Sequence, residues 1–198
     1  MSKAGVPVPE SKAALRKTLR AARRDHVAAL DPRVRALLFM RPPAPLLNIV
    51  PDGATIGLYA ATADEAPAFS YARFFHEAGH RIALPWFASR EAAMTFRTWA
   101  SPHVDELLVP GPYGMAQPVE DADEVVPDLL FVPLVGFTAN GQRLGQGGGH
   151  YDRWLAAHPE VPAIGLAWDA QLVDSLPEEP HDRPLRAVVT PTRLYGPW

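Results

Sequence analysis

Apolar and polar positions along this chain change their spacing several times, and each change marks an element. From Ser11 the spacing is helical: Leu15, Leu19, Ala22, Val27 and Leu30 fall on one side, and Ser11 is a suitable N-cap. Lys12, Arg16, Arg20 and Arg23 recur at steps of four, four and three, drawing one basic stripe along the same helix. Asp31-Pro32 starts a second helix by cap and proline, and Pro42-Pro43 stops it. The pattern then alternates between two periods. Residues 55–60, 81–84 and 94–99 are strand-like, the last in the manner of a half-buried strand. Residues 67–78 are helical, with Phe69, Ala72, Phe74 and Phe75 available for burial. Residues 128–135 are nearly all apolar, as a central strand buried on both faces requires. A helix follows Gly149, and residues 163–167 and 187–190 supply the last strands. Alternating β and α units of this length predict a three-layer α/β fold with a mostly parallel central sheet and an N-terminal basic helix. Residues 1–10 read as a flexible lead and 11–198 as a single α/β domain.

One stretch departs from both periods. In RLGQGGGHYDRWL, residues 143–155, four glycines fall within five positions, between an apolar strand and a helix. Ordering glycine is entropically costly, so such a cluster belongs where the backbone turns with positive φ or approaches a ligand closely. Free N–H groups and the helix dipole at such a junction attract anions. The first expectation is a phosphate-binding loop, with a tight turn holding no ligand as the alternative. It is neither a Walker A loop nor a dinucleotide fingerprint, since no G-x4-G-K-[ST] occurs and His150 stands where the last fingerprint glycine belongs. Arg143 and Arg153 flank the loop as charge-assisted donors, and Asp152 is a carboxylate suited to magnesium.

Composition narrows the partners. The formal net charge is −3, yet residues 1–24 hold seven of the nineteen Lys and Arg and a single acid, Glu10. A nucleic-acid-binding protein would be basic over its body. The basic arm therefore suits one small anionic ligand, although a solvated helix face has the same pattern. There is no cysteine, which excludes disulfides, thiolate zinc sites and cysteine nucleophiles. The histidines lack H-E-x-x-H spacing. No apolar signal region or membrane-length run is present, so a soluble, cytoplasmic chain without nucleic-acid or membrane partners is expected, a monomer or weak dimer. Glu65 taken alone reads as a helix-start acid, and Asp182 as a turn aspartate.

Taken in order, the motifs resemble the 5-formyltetrahydrofolate cyclo-ligase family. They are K-x3-R at Lys12 and Arg16, Glu65 after a strand and Tyr59, Leu84-Pro85, M-x-F at Met94 and Phe96, the block PDLLFVPLVGFTANGQRLGQGGGHYDRWL, and a closing GLAWDAQ…HD…VVT. The resemblance runs from about Lys12 to Thr190. It implies an ATP- and Mg²⁺-dependent ligase acting on a reduced folate. It also implies roles: Arg143 and Tyr151 as catalytic groups, and Lys12, Arg16, Arg143 and the run Leu144, Gly145, Gln146, Gly147, Gly148, Gly149, His150 and Tyr151 around ATP. Tyr59, Glu65, Trp86, Gln146, Gly148 and His150 would meet the folate, Glu65 by accepting from pterin N–H groups. Asp152 and Asp182 would hold magnesium.

The chain departs from the family pattern at Thr138, where aspartate is common, and at Gln117, where glutamate is frequent. It departs again inside the loop: Gln146 replaces tyrosine or arginine, Gly148 replaces lysine in some members, and His150 replaces the first of two tyrosines. These substitutions leave room for two other readings, a folate- or nucleotide-binding relative without ring closure, and an unrelated α/β phosphotransferase.

Overall fold

The apolar run after Asp128 organises the molecule. A computed structural model describes residues 11–104, 107–177, 179 and 182–198. Eleven strands are described: β1 (Thr55–Gly57), β2 (Arg81–Trp86), β3 (Thr95–Thr98), β4 (Leu108–Pro110), β5 (Ala116–Pro118), β6 (Leu129–Pro133), β7 (Gly136–Phe137), β8 (Arg143–Leu144), β9 (Ala163–Leu166), β10 (Ala187–Val189) and β11 (Leu194–Tyr195). The helices are α1 (Lys12–Ala29), α2 (Pro32–Leu37), α3 (Ala44–Leu47), α4 (Phe69–Glu77) and α5 (His150–Ala157).

Strand β6 is buried on both faces because alternate side chains point to opposite sides. Leu129 and Phe131 join Ile56, Ile82, Ile164 and the Tyr71–Phe75 face of α4 in one core. Leu130 and Val132 join Phe96 and Trp154 of α5 in the other. Each such large apolar side chain taken from water contributes about 1.5–3 kcal/mol. The sheet order is β11-β10-β9-β6-β1-β2-β3. Its middle pairs are parallel, and β3 and β11 close the edges antiparallel. A mostly parallel central sheet with helices on both sides is the expected class.

Several details differ from the sequence reading. The second helix ends at Leu37, well before Pro42, because Phe39 turns the chain with φ of 57°. That conformation is strained for a bulky residue, and it is held by burying the ring against Tyr71 and Trp168 at 6.4 and 5.4 Å. Helix α1 begins as expected, with Ser11 Oγ accepting from the Ala14 N–H at 3.2 Å. Its inner face holds Leu19 and Val27, but also Arg23 from the basic stripe. Two small hairpins, β4–β5 and β7–β8, fall in stretches where the spacing predicts no element. The glycine run therefore follows β8 of a hairpin rather than a strand of the main sheet. The expected lead, residues 1–10, lies outside the described residues.

Candidate active site

Strands β1 and β6 are neighbours whose connections leave in opposite directions, β1 through α4 toward β2 and β6 through α5 toward β9. Such a reversal opens a crevice at the carboxyl ends of the strands. A cavity of about 520 Å³ lies there, with Tyr59 and Ala60 beyond β1, Pro85 and Phe87 at the end of β2, and Pro133 ending β6. The glycine run, Lys12 and Arg16 of α1, and the β4–β5 hairpin supply its other walls.

The basic stripe of α1 lies directly against the glycine run. Arg16 Nε donates to the Gly145 carbonyl at 2.9 Å. Arg20 donates to the Gln146 carbonyl at 2.5 Å and to its side-chain Oε1 at 3.1 Å. Arg153 of α5 donates to the Gly148 carbonyl at 2.9 Å. With these carbonyls drawn to arginines, Gly147 and Gly149 take left-handed φ values of 104° and 66°, which glycine adopts without strain. Gly149 is the N-cap of α5 and supplies no side-chain cap. The helix thus begins with uncapped N–H groups, a ready anion site.

Arg143, 8% exposed, pairs with Asp152 through a short contact to Oδ1. Its Nε is buried without a hydrogen-bond partner among the described residues. A buried guanidinium N–H left unpaired costs free energy, while the Arg143 side chain as a whole lines the cavity. Lys12 Nζ reaches Asp182 Oδ2 at 2.7 Å and Glu179 Oε2 at 2.9 Å. Burial opposes its charge, but the bonds to both acids outweigh it and hold the ammonium above the ordinary lysine value.

Glu65, 5% exposed, is accounted for on both oxygens. Oε2 accepts from the Thr62 N–H at 2.9 Å and Oε1 from Gln146 Nε2 at 2.9 Å, while Arg23 stands 3.8 Å away. Arg23 itself is fixed by Asp64 at 3.1 Å and the Leu134 carbonyl at 3.3 Å. The hydroxyls of Tyr59 and Tyr151 are pushed up by burial and then by the Glu65 charge, with Arg143 opposing at Tyr151. Both remain protonated donors. That of Tyr59 is committed to the Ala66 carbonyl at 2.6 Å, so the ring is what Tyr59 offers.

All but one of the candidate residues line this cavity. Trp86 does not: it lies on a separate shallow depression under the Arg97 guanidinium, 4.0 Å from its ring centre. The strand's period of two explains this, since Ala83, Pro85 and Phe87 share a face that Trp86 does not. Phe87 is the aromatic wall that the sequence reading missed. Its ring meets His150 at 5.0 Å and Tyr113 of the hairpin turn at 5.0 Å. Gln117 clasps the Phe87 backbone, accepting from its N–H and donating to its carbonyl, both at 3.2 Å. His150 is held below its ordinary value by burial and by Arg153, which keeps the ring neutral.

A mostly parallel α/β fold with a glycine-rich turn and cations around a switch-point crevice is that of an enzyme acting on a small molecule, and none of the described helices is long and apolar enough to cross a membrane. Residues 8–191 match the 5-formyltetrahydrofolate cyclo-ligase family, and the chain belongs to that family of ligases. The Escherichia coli K12 5-formyltetrahydrofolate cyclo-ligase is 40% identical over 125 residues, covering 60% of this chain and 67% of that protein. The mouse enzyme of the same name is 26% identical over 190 residues, 90% of this chain and 93% of its own. The Aquifex aeolicus 5,10-methenyltetrahydrofolate synthetase structure superposes with a TM-score of 0.72 at 25% identity, over 94% of this chain and 92% of that one.

Proposed function

We propose that this chain closes 5-formyltetrahydrofolate to 5,10-methenyltetrahydrofolate, consuming ATP and releasing ADP and phosphate. The observation that carries the reading is the convergence of Lys12, Arg16 and Arg143 with the glycine run and the uncapped start of α5 on one cavity. A polyphosphate supplies the acceptors and the charge that such a cluster of donors suits. Family membership supports the rest of the reaction.

The formyl oxygen attacks the γ-phosphoryl group, and the bond to ADP breaks. The formyl carbon now carries phosphate, a good leaving group. N10 attacks that carbon and loses its proton, phosphate departs, and a cationic methenyl bridge remains. Phosphoryl transfer asks for positioning and charge neutralisation rather than a protein nucleophile. Lys12, Arg16, Arg143 and the loop N–H groups supply these around the phosphates. Glu65 accepts from paired pterin N–H groups, Tyr151 donates from its protonated hydroxyl, and Tyr59, Phe87 and His150 wall the ring system.

Asp152 and Asp182 fit magnesium in one specific sense. Both carboxylates line the cavity, and Mg²⁺ commonly takes one or two carboxylates and completes its octahedron with phosphate oxygens and water. Among the described residues no group of three His, Asp or Glu is ready to hold a metal alone, which suits an ion that arrives with a nucleotide. When bound it would offset the phosphate charge.

The test is purified, folded protein with ATP, Mg²⁺ and 5-formyltetrahydrofolate, followed by the absorbance of the methenyl product and by ADP release. Both signals are expected, and Arg143→Ala is expected to raise the ATP KM by at least about tenfold, the worth of one charge-assisted hydrogen bond. Folded protein giving neither methenyl product nor ADP rejects the proposal.

A further inference from the structure

Gln146 is the one side chain of the glycine run that reaches across the cavity to the opposite wall. Its amide orientation is fixed by its neighbours. A guanidinium only donates and a carboxylate only accepts, so the oxygen must face Arg20 (3.1 Å) and the nitrogen must face Glu65 (2.9 Å). The backbone carbonyl of the same residue is held by Arg20 as well, at 2.5 Å. Glu65 has two oxygens, and the second is already taken by the Thr62 N–H. Each carboxylate oxygen can accept twice, but Gln146 lines the cavity and Thr62 is not part of its lining. A ligand presenting two adjacent N–H donors from the cavity therefore finds Oε1 already covered by Gln146 Nε2.

We infer that Gln146 is a placeholder. Its carboxamide fills on Glu65 the position that the pterin's N–H group takes, and must be given up when folate binds. Release of Gln146 frees the run of residues 145–149 at one of its side-chain anchors, so pterin occupancy is transmitted to the backbone that meets the phosphates. This rests on the reading of Glu65 as the pterin acceptor. The order of events is a linkage: whatever stabilises the Gln146–Glu65 bond opposes folate, and folate loosens the phosphate loop by an equal free energy. Gln146 is thus a positioning residue that couples the two substrate sites of the reaction.

The discriminating variant is Gln146→Met, which keeps length and packing but has no N–H to donate. Folate binding is measured without nucleotide by tryptophan fluorescence, alongside thermal unfolding with and without folate. In Gln146→Met the folate Kd is expected to tighten by about fivefold, the net worth of one hydrogen bond no longer broken on binding. The variant should unfold at lower temperature without folate, because Glu65 Oε1 loses its partner, and should recover with folate bound. The ratio of ATP affinities with and without folate should move toward one. A side chain that merely props the loop would lower both unfolding temperatures and weaken folate binding, and that result overturns the inference. Glu65→Gln separates the two layers. If it binds folate as tightly as the wild type, the pterin assignment fails and the placeholder with it. If it weakens folate while Gln146→Met leaves folate affinity and coupling unchanged, the placeholder alone is wrong.

Discussion

Two glycines of the same loop separate a turn from a ligand site. At Gly147 φ is 104°, and a Cβ there would meet nothing nearer than the Arg16 guanidinium at 3.5 Å. Space is adequate, so alanine suffers only from the left-handed backbone, a cost of about 1–2 kcal/mol. In a chain of 198 residues a loss of 1 kcal/mol lowers the melting temperature by about 2–4 °C, so Gly147→Ala should melt roughly 2–8 °C lower. Gly145 offers similar space but a different backbone. Its φ lies outside the left-handed range, and its Cβ would find only Arg143 Nη1 at 3.6 Å, an ordinary contact. Gly145→Ala should therefore be neutral in stability, or gain a few tenths of a kcal/mol from a less flexible unfolded chain. If phosphate lies against this backbone, the new methyl group displaces it and costs one charge-assisted hydrogen bond, about 1.5–3 kcal/mol, or roughly ten- to a hundredfold in ATP KM. Differential scanning calorimetry and ATP titration of both variants provide the readout. An unchanged ATP KM in a stable Gly145→Ala protein refutes the phosphate loop and restores the empty turn.

Two further outcomes follow from the cavity wall. His150 is depressed below its ordinary 6.5 by burial and Arg153; the unfolded chain then takes the proton first, so His150 costs nothing above about pH 6.5 and removes stability progressively below it. His150→Phe should flatten the fall in melting temperature between about pH 7.5 and 5.5, and an unaltered slope would mean that other groups set it. Gln117→Leu leaves the Phe87 N–H and carbonyl unpaired, at a cost of about 1–3 kcal/mol, and loosens the hairpin against the cavity. Its folate KM should rise together with the loss in melting temperature, and a normal KM in the destabilised variant would show that the hairpin does not shape the pocket.

How much of this was legible in the chain depends on length and on parity. Strand β6 was, because eight nearly unbroken apolar positions can only be satisfied by burial on both faces. The glycine turn ahead of α5 was, because clustered glycines belong where the backbone takes positive φ, as it does at Gly147 and Gly149. The hairpins β4–β5 and β7–β8 were not: strands of two or three residues contain barely one period. Trp86, a folate contact only by resemblance, lies off the cavity because stepping by two from Ala83 reaches Pro85 and Phe87 instead. Arg23 was read as part of a solvated or ligand-facing stripe, yet it is 4% exposed. Nothing local announces this, since its partners Asp64 and Leu134 are 41 and 111 positions away.

The ion pair between Lys12 and Asp182 joins residues 170 positions apart. On a ribosome making about 5–20 residues per second, α1 emerges with its cations exposed and waits on the order of ten seconds for that acid. Through that interval a growing chain can condense its strands but cannot finish the crevice. A growing chain lacking the segment around Asp182 has a charged helix beside an open cleft and no assembled site, so competence should appear only after that segment has been made. Enzyme synthesis and enzyme competence are thereby separated in time within every molecule made.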